Sequence, residues 1–72
     1  MTTNWNSLLN TKRNVSTVSN FAKGDMTGKE FVSSFAGTSN SGIVRSLLKN
    51  HGVDKSRNLA KKALYRRASS NA

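Results

Sequence analysis

Residues 43–64 run Ile43-Val44-Arg45-Ser46-Leu47-Leu48-Lys49-Asn50-His51-Gly52-Val53-Asp54-Lys55-Ser56-Arg57-Asn58-Leu59-Ala60-Lys61-Lys62-Ala63-Leu64. One pattern occurs twice in this stretch: two apolar residues, two polar, two apolar. Ile43-Val44 and Leu47-Leu48 frame the first copy, Leu59-Ala60 and Ala63-Leu64 the second. On a helix these positions fall within an arc of about 140°. A strand would scatter them over both faces. A third copy, Phe31-Val32-Ser33-Ser34-Phe35-Ala36, lies upstream. Three amphipathic stripes that need a common core predict an all-α fold. The expected form is a small bundle of three to four short helices, at about 13–23, 28–36, 42–51 and 55–68, with flexible polar termini.

The residues between the stripes support those boundaries. Thr27-Gly28-Lys29-Glu30 has the form of a capping box, with Met26 and Phe31 placed to staple it. Gly37 can take a left-handed position after the first stripe, and Ser39 or Ser41 can cap the next helix. Gly52 is expected as a left-handed C′ residue, with Val53 and Leu48 as the apolar pair of a Schellman motif. Asp25, Glu30 and Asp54, the three acids of the chain, each fall where a cap or first-turn carboxylate meets a helix start.

The first 25 residues give a weaker signal. Val15, Val18, Phe21 and Ala22 share helical spacing, as do Trp5, Leu8 and Leu9, but Asn, Ser and Thr compete for the backbone. A weak helix at 13–23 ending at Lys23-Gly24 is expected, with a turn around 5–10 that docks Trp5. An arm that orders only on binding is the alternative. The chain therefore divides into an N-terminal arm or helix (1–25), a compact helical domain (26–68) and a frayed tail (69–72).

Twelve Lys and Arg face three acids, for a formal net charge of +9. The excess is lopsided. Residues 1–44 hold four cations against two acids, whereas residues 45–72 hold eight against one. A surface of this kind suits a polyanion, with the C-terminal part as the binding end. The candidate contact residues are Lys55, Ser56, Arg57, Asn58, Lys61, Lys62, Tyr65, Arg66 and Arg67, with Arg45 and Lys49 on the preceding helix. Two helices joined by a short glycine turn have the general form of a helix-turn-helix, but neither Gly52 nor Gly37 in the turn gives the apolar spacing of repressors. Tyr65 projects off the apolar stripe and could lie on a base, a sugar or a partner protein.

Other chemistries lack residues. There is no cysteine, no pair of metal ligands at useful spacing and no phosphate-cradling glycine loop. No cofactor is expected. Ser56, His51 and Asp54 crowd into one turn with no oxyanion hole, so no catalytic site is expected. No apolar run reaches the roughly 20 residues that span a bilayer, and no secretory h-region follows the N-terminus. Membrane insertion and export by a signal peptide are not expected.

The expected function is a small basic accessory or regulatory protein that binds nucleic acid, DNA ahead of RNA, encoded by a phage or mobile element. It would sit in the host cytoplasm or in a virion. About five neutralised phosphates would give a salt slope of −4 to −5. The alternative is a virion assembly protein, minor capsid or scaffold-like, whose basic helix docks an acidic protein surface or the packaged genome. A small chain of marginal stability also suits a homo-oligomer or a larger assembly. A cationic membrane-active peptide ranks third, because the stripes are narrow and suit a mutual core.

Overall fold

A computed structural model describes residues 5–70. Its four helices are α1 (Trp5–Leu8), α2 (Lys12–Lys23), α3 (Gly28–Ser34) and α4 (Ser41–Ser70). The described residues contain no strand, as the apolar spacing requires. Residues 1–4 and 71–72, the ends of the expected arm and tail, lie outside the described residues.

α2 forms despite its polar composition because both of its ends are closed. The Thr11 hydroxyl accepts from the Asn14 N–H at 3.1 Å, satisfying a donor that the first turn leaves free. At the other end Gly24 adopts φ 92, ψ 6, a left-handed conformation that is cheap only without a Cβ. The Gly24 N–H then donates to the Phe21 carbonyl at 3.1 Å, and the Asp25 N–H to the Asn20 carbonyl at 3.0 Å. These two bonds make a Schellman motif. Asp25 is thus the residue after a helix end, weakly paired with Lys23 at 3.9 Å on the surface, and does not cap α3 as its position had suggested.

Thr27 caps α3. The Glu30 N–H donates to the Thr27 hydroxyl at 3.1 Å, and the Thr27 N–H donates to Glu30 Oε1 at 2.9 Å. The second bond favours the ionised carboxylate, and together with the Thr27 side chain it holds the Glu30 pKa below the usual value. A depressed carboxyl pKa stabilises the fold above the unfolded-state pKa, and this contribution is lost as pH falls through the folded-state value. Titration of Glu30 followed by NMR should therefore give a pKa below that of an ordinary glutamate. Thr27→Ala removes the hydroxyl contribution but keeps the backbone N–H that lowers the pKa most, so the pKa should rise only part of the way toward the ordinary value, and a full return would contradict the backbone N–H as the main cause.

α3 is shorter than its stripe. Phe35 and Ala36 leave the helix in a tight turn whose N–H groups bond three residues back, to Val32 and Ser33. Gly37 has the expected positive φ, 77°, but lies past this turn, not directly after the helix. The next helix is started by neither Ser39 nor Ser41. The Asn40 carbonyl accepts the first helical bond, from the Val44 N–H at 3.1 Å. The buried Asn40 side chain reaches back to the Ser7 carbonyl at 3.2 Å. One amide thereby ties α1 to the corner between α3 and α4.

The core is built around a run of rings. Phe21 of α2 stacks on Phe31 of α3, with centroids 4.1 Å apart and planes 2° from parallel. Phe35 meets Phe31 edge-on at 5.5 Å. Leu8, Leu9, Val18, Val44, Leu47, Ala60 and Ala63 complete the buried cluster, and Trp5 and Met26 pack on its margin.

α4 spans thirty residues but is not a rod. A straight helix of that length would measure about 45 Å, and the longest dimension of the fold is 32 Å. The helix breaks at Gly52, with φ 78 and ψ 173. The expected left-handed cap does not form there, because ψ is extended. The bend brings the Ser56 hydroxyl to the Leu47 carbonyl at 3.3 Å, although nine residues of straight helix would hold them about 13 Å apart. At 100° per residue, the apolar faces of residues 43–48 and 56–64 would point about 160° apart on a straight helix. The kink cancels that offset and turns both faces onto one core. A Cβ on Gly28 would lie 3.0 Å from Val53 Cγ2 and 3.8 Å from Leu48 Cδ1, so side chains from both arms close over the first turn of α3. The second arm continues through residues 69 and 70, which were expected in a frayed tail.

Candidate nucleic-acid interface

The arm after Gly52, residues 53–70, buries one face and exposes another. Ser56, Ala60 and Ala63 are buried at positions i, i+4 and i+7. All three are small, so the helix backbone can approach the core closely. Half-buried Leu59 and Leu64 flank them. On the opposite side, Lys55, Asn58, Lys61, Lys62, Tyr65 and Arg66 are exposed. Their angular positions span about 140° of the helix surface. Lys61, Lys62, Tyr65 and Arg66 line one shallow depression. Tyr65 is 76% exposed, the most open large apolar side chain among the described residues. Among the described residues, no cation of this face is engaged in an ion pair.

Three expected contact residues stand elsewhere. Ser56 is fully buried, and its hydroxyl bonds the Leu47 carbonyl. It faces the core and cannot meet a macromolecule. Arg57 turns inward as well. Its guanidinium lies 4.9 Å above the Phe21 ring, and Nη2 donates to the Met26 carbonyl at 3.0 Å. Its buried Nε has no partner. A hydrogen bond from a charged donor contributes about 1.5–3 kcal/mol, and an unsatisfied buried donor costs about 1–3 kcal/mol. The two nearly offset, so Arg57 fixes geometry more than it adds stability. It is committed to the fold and not free for a phosphate.

Arg67 shares the angular position of Ser56, Ala60 and Ala63, yet it is exposed. The last turns of α4 therefore overhang the core, and Arg67 points away from the lysine face. Arg45 and Lys49 are exposed one turn apart on the outward side of the first arm. The cationic face that remains on the second arm is Lys55, Lys61, Lys62 and Arg66, with Asn58 and Tyr65 among them.

Asn40 and the Arg57–Met26 bond escaped sequence reasoning. Neither had a local signal, since each partner is more than thirty residues away in the chain. The burial of Ser56 had one: Ser56, Ala60 and Ala63 form a stripe of small residues.

Among the described residues, no group of three or more His, Cys, Asp or Glu could hold a metal ion. No helix among them is long and apolar enough to cross a membrane. Fold and surface together define the chain as a small all-α bundle with one cationic helix face. No protein-family profile, curated protein or solved structure matches the chain.

Proposed function

We propose that the protein binds nucleic acid through the outward face of residues 53–70, as a small accessory or regulatory factor of the kind a phage or mobile element encodes. DNA ranks ahead of RNA, and the host cytoplasm or a virion is the proposed setting. The observation that carries this reading is four cations, Lys55, Lys61, Lys62 and Arg66, on one exposed helix face with no ion pair among the described residues. From Lys55 to Arg66 the helix rises about 16 Å. Duplex DNA presents about ten charges over that length, so four contacts are easily met.

Four neutralised phosphates imply a slope of log K on log salt near −3.6. Fluorescence anisotropy of a labelled duplex should then show affinity falling about 600-fold between 50 and 300 mM salt. Lys62→Ala should reduce the slope by about 0.9. Arg67→Ala, on the opposite side, should leave it unchanged. Absence of binding at 50 mM salt, or equal effects of the two substitutions, would refute the assigned face.

A second reading is favoured by Tyr65. An open tyrosine beside an arginine, as Tyr65 and Arg66 are here, is also a pair enriched at protein contacts. In that case the same face docks an acidic partner surface in a virion or scaffold assembly, and nucleic-acid binding is weak.

A further inference from the structure

The kink in α4 has a built-in alternative. Gly52 alone separates two stretches that are already helical. Its combination of positive φ and extended ψ is open essentially only to glycine. A Cβ at this position would meet nothing within 4 Å. The bend is therefore held by one residue's dihedral angles and by contacts farther along the arms, not by crowding at the hinge. Asn50, Val53 and Asp54 beside it are exposed.

With helical angles at Gly52, residues 41–70 would form a single rod. Its two apolar faces would point about 160° apart, too far for one body to cover. Ser56, Ala60 and Ala63 would leave the core that they share with Phe21, Phe31 and Leu47. A second copy opened in the same way would present the same vacated surface, shaped for the same arm. We propose that the chain has an arm-exchanged dimer as its alternative state, with α4 straight and residues 53–70 of each copy packed into the other. Gly52 sets the balance toward the kinked monomer.

The partner is a second copy because the seam is self-complementary. The Ser56–Leu47 bond, the Arg57–Met26 bond and the Arg57 contact with the Phe21 ring can all be remade between chains with unchanged geometry. Only the hinge differs between the two forms, as in domain swapping generally. The balance then depends on hinge angles and protein concentration. Glycine is unfavourable inside a helix and permissive at positive φ, so the wild-type residue favours the kink on both counts. Gly52→Ala reverses both effects and should tighten dimerisation by about 100-fold or more. This inference is independent of any polyanion.

Light-scattering mass measurement of wild type and Gly52→Ala, from about 10 to 500 µM, tests it. The expected result is 7.8 kDa for the wild type and twice that mass for the variant. Inserting three glycines directly after position 52 of the variant should restore the monomer, since a longer hinge lets the arm fold back. A dimer that survives the insertion is side-by-side association and would overturn the proposal. So would a helical Gly52→Ala chain that stays monomeric throughout. Should circular dichroism show the variant to be unfolded at about 10 µM, the deciding sample is the same variant at about 500 µM, where folding is coupled to dimerisation. Helix regained together with the doubled mass is expected there, and a chain that stays unfolded, or regains helix as a monomer, would overturn the proposal.

Discussion

Phe31→Ala should be unfolded at 25 °C. Phe31 is fully buried, stacked on Phe21 and met edge-on by Phe35. Truncating a buried phenylalanine costs about 3–5 kcal/mol, and aromatic pairs of this geometry add about 0.5–1.5 kcal/mol each. At about 0.05 kcal/mol per residue, the lower end for natural domains, a chain of this size has about 4 kcal/mol in total. Small domains belong at that lower end. The loss therefore matches or exceeds the whole stability. Circular dichroism at 222 nm should show little helix and no cooperative urea transition. Phe31→Leu, which keeps an apolar side chain there but loses both ring pairs, should cost about 1–3 kcal/mol and still show a cooperative transition, at lower urea than the wild type. A cooperative transition for Phe31→Ala close to that of the wild type would mean that the ring stack is not the centre of the core.

The second large effect concerns binding. Replacing Lys61, Lys62 and Arg66 together by Ala removes three of the four cations on the proposed face. Each phosphate contact contributes about 0.9 to the salt slope. Affinity for a duplex at 0.1 M salt should then fall about 500-fold, and the slope should shrink to about −0.9. The helix signal should not change, because all three side chains are exposed. The control is Lys12→Ala/Arg13→Ala/Lys29→Ala, which removes equal charge from α2 and α3. A localised interface predicts a loss of only a few-fold for the control. Equal losses would mean that overall net charge, and not this face, drives binding.

The extent of the fold that the chain disclosed follows from how local each signal is. The paired apolar residues between Phe31 and Leu64 determine helix faces within two turns, and helices form where those pairs fall, except that Phe35-Ala36 closes α3 in a turn. Thr27 and Glu30 are three residues apart, so the capping box was readable. α2 was readable from Val15, Val18, Phe21 and Ala22, although its polar residues weakened the expectation. Glycine at position 52 signals a positive φ, but ψ depends on which faces must meet, and that is decided by packing. The same holds for the contact surface. Lys55, Lys61, Lys62, Tyr65 and Arg66 are outward because the opposite stripe is apolar. Arg57 is inward because Phe21 and the Met26 carbonyl, remote in sequence, form a seat for it. Ser56 is inward because α4 needs a small residue where it doubles back on Leu47. Charge alone therefore overcounted the outward-facing side chains of this arm, and the small-residue stripe was the correction available in the chain itself.

The offset between the two apolar faces of α4 also bears on how this gene tolerates lost codons. A codon deleted from the loop between α3 and α4 shortens a connection. A codon deleted at position 52 does something different in kind. It rotates everything downstream by about 100° and brings the two faces from about 160° to about 60° apart, close enough to fuse into one stripe. The product would be a continuous amphipathic helix with no reason to bend. A single in-frame loss at Gly52 would thus join the two faces into one stripe, which a substitution at the same site, leaving the faces about 160° apart, would not do.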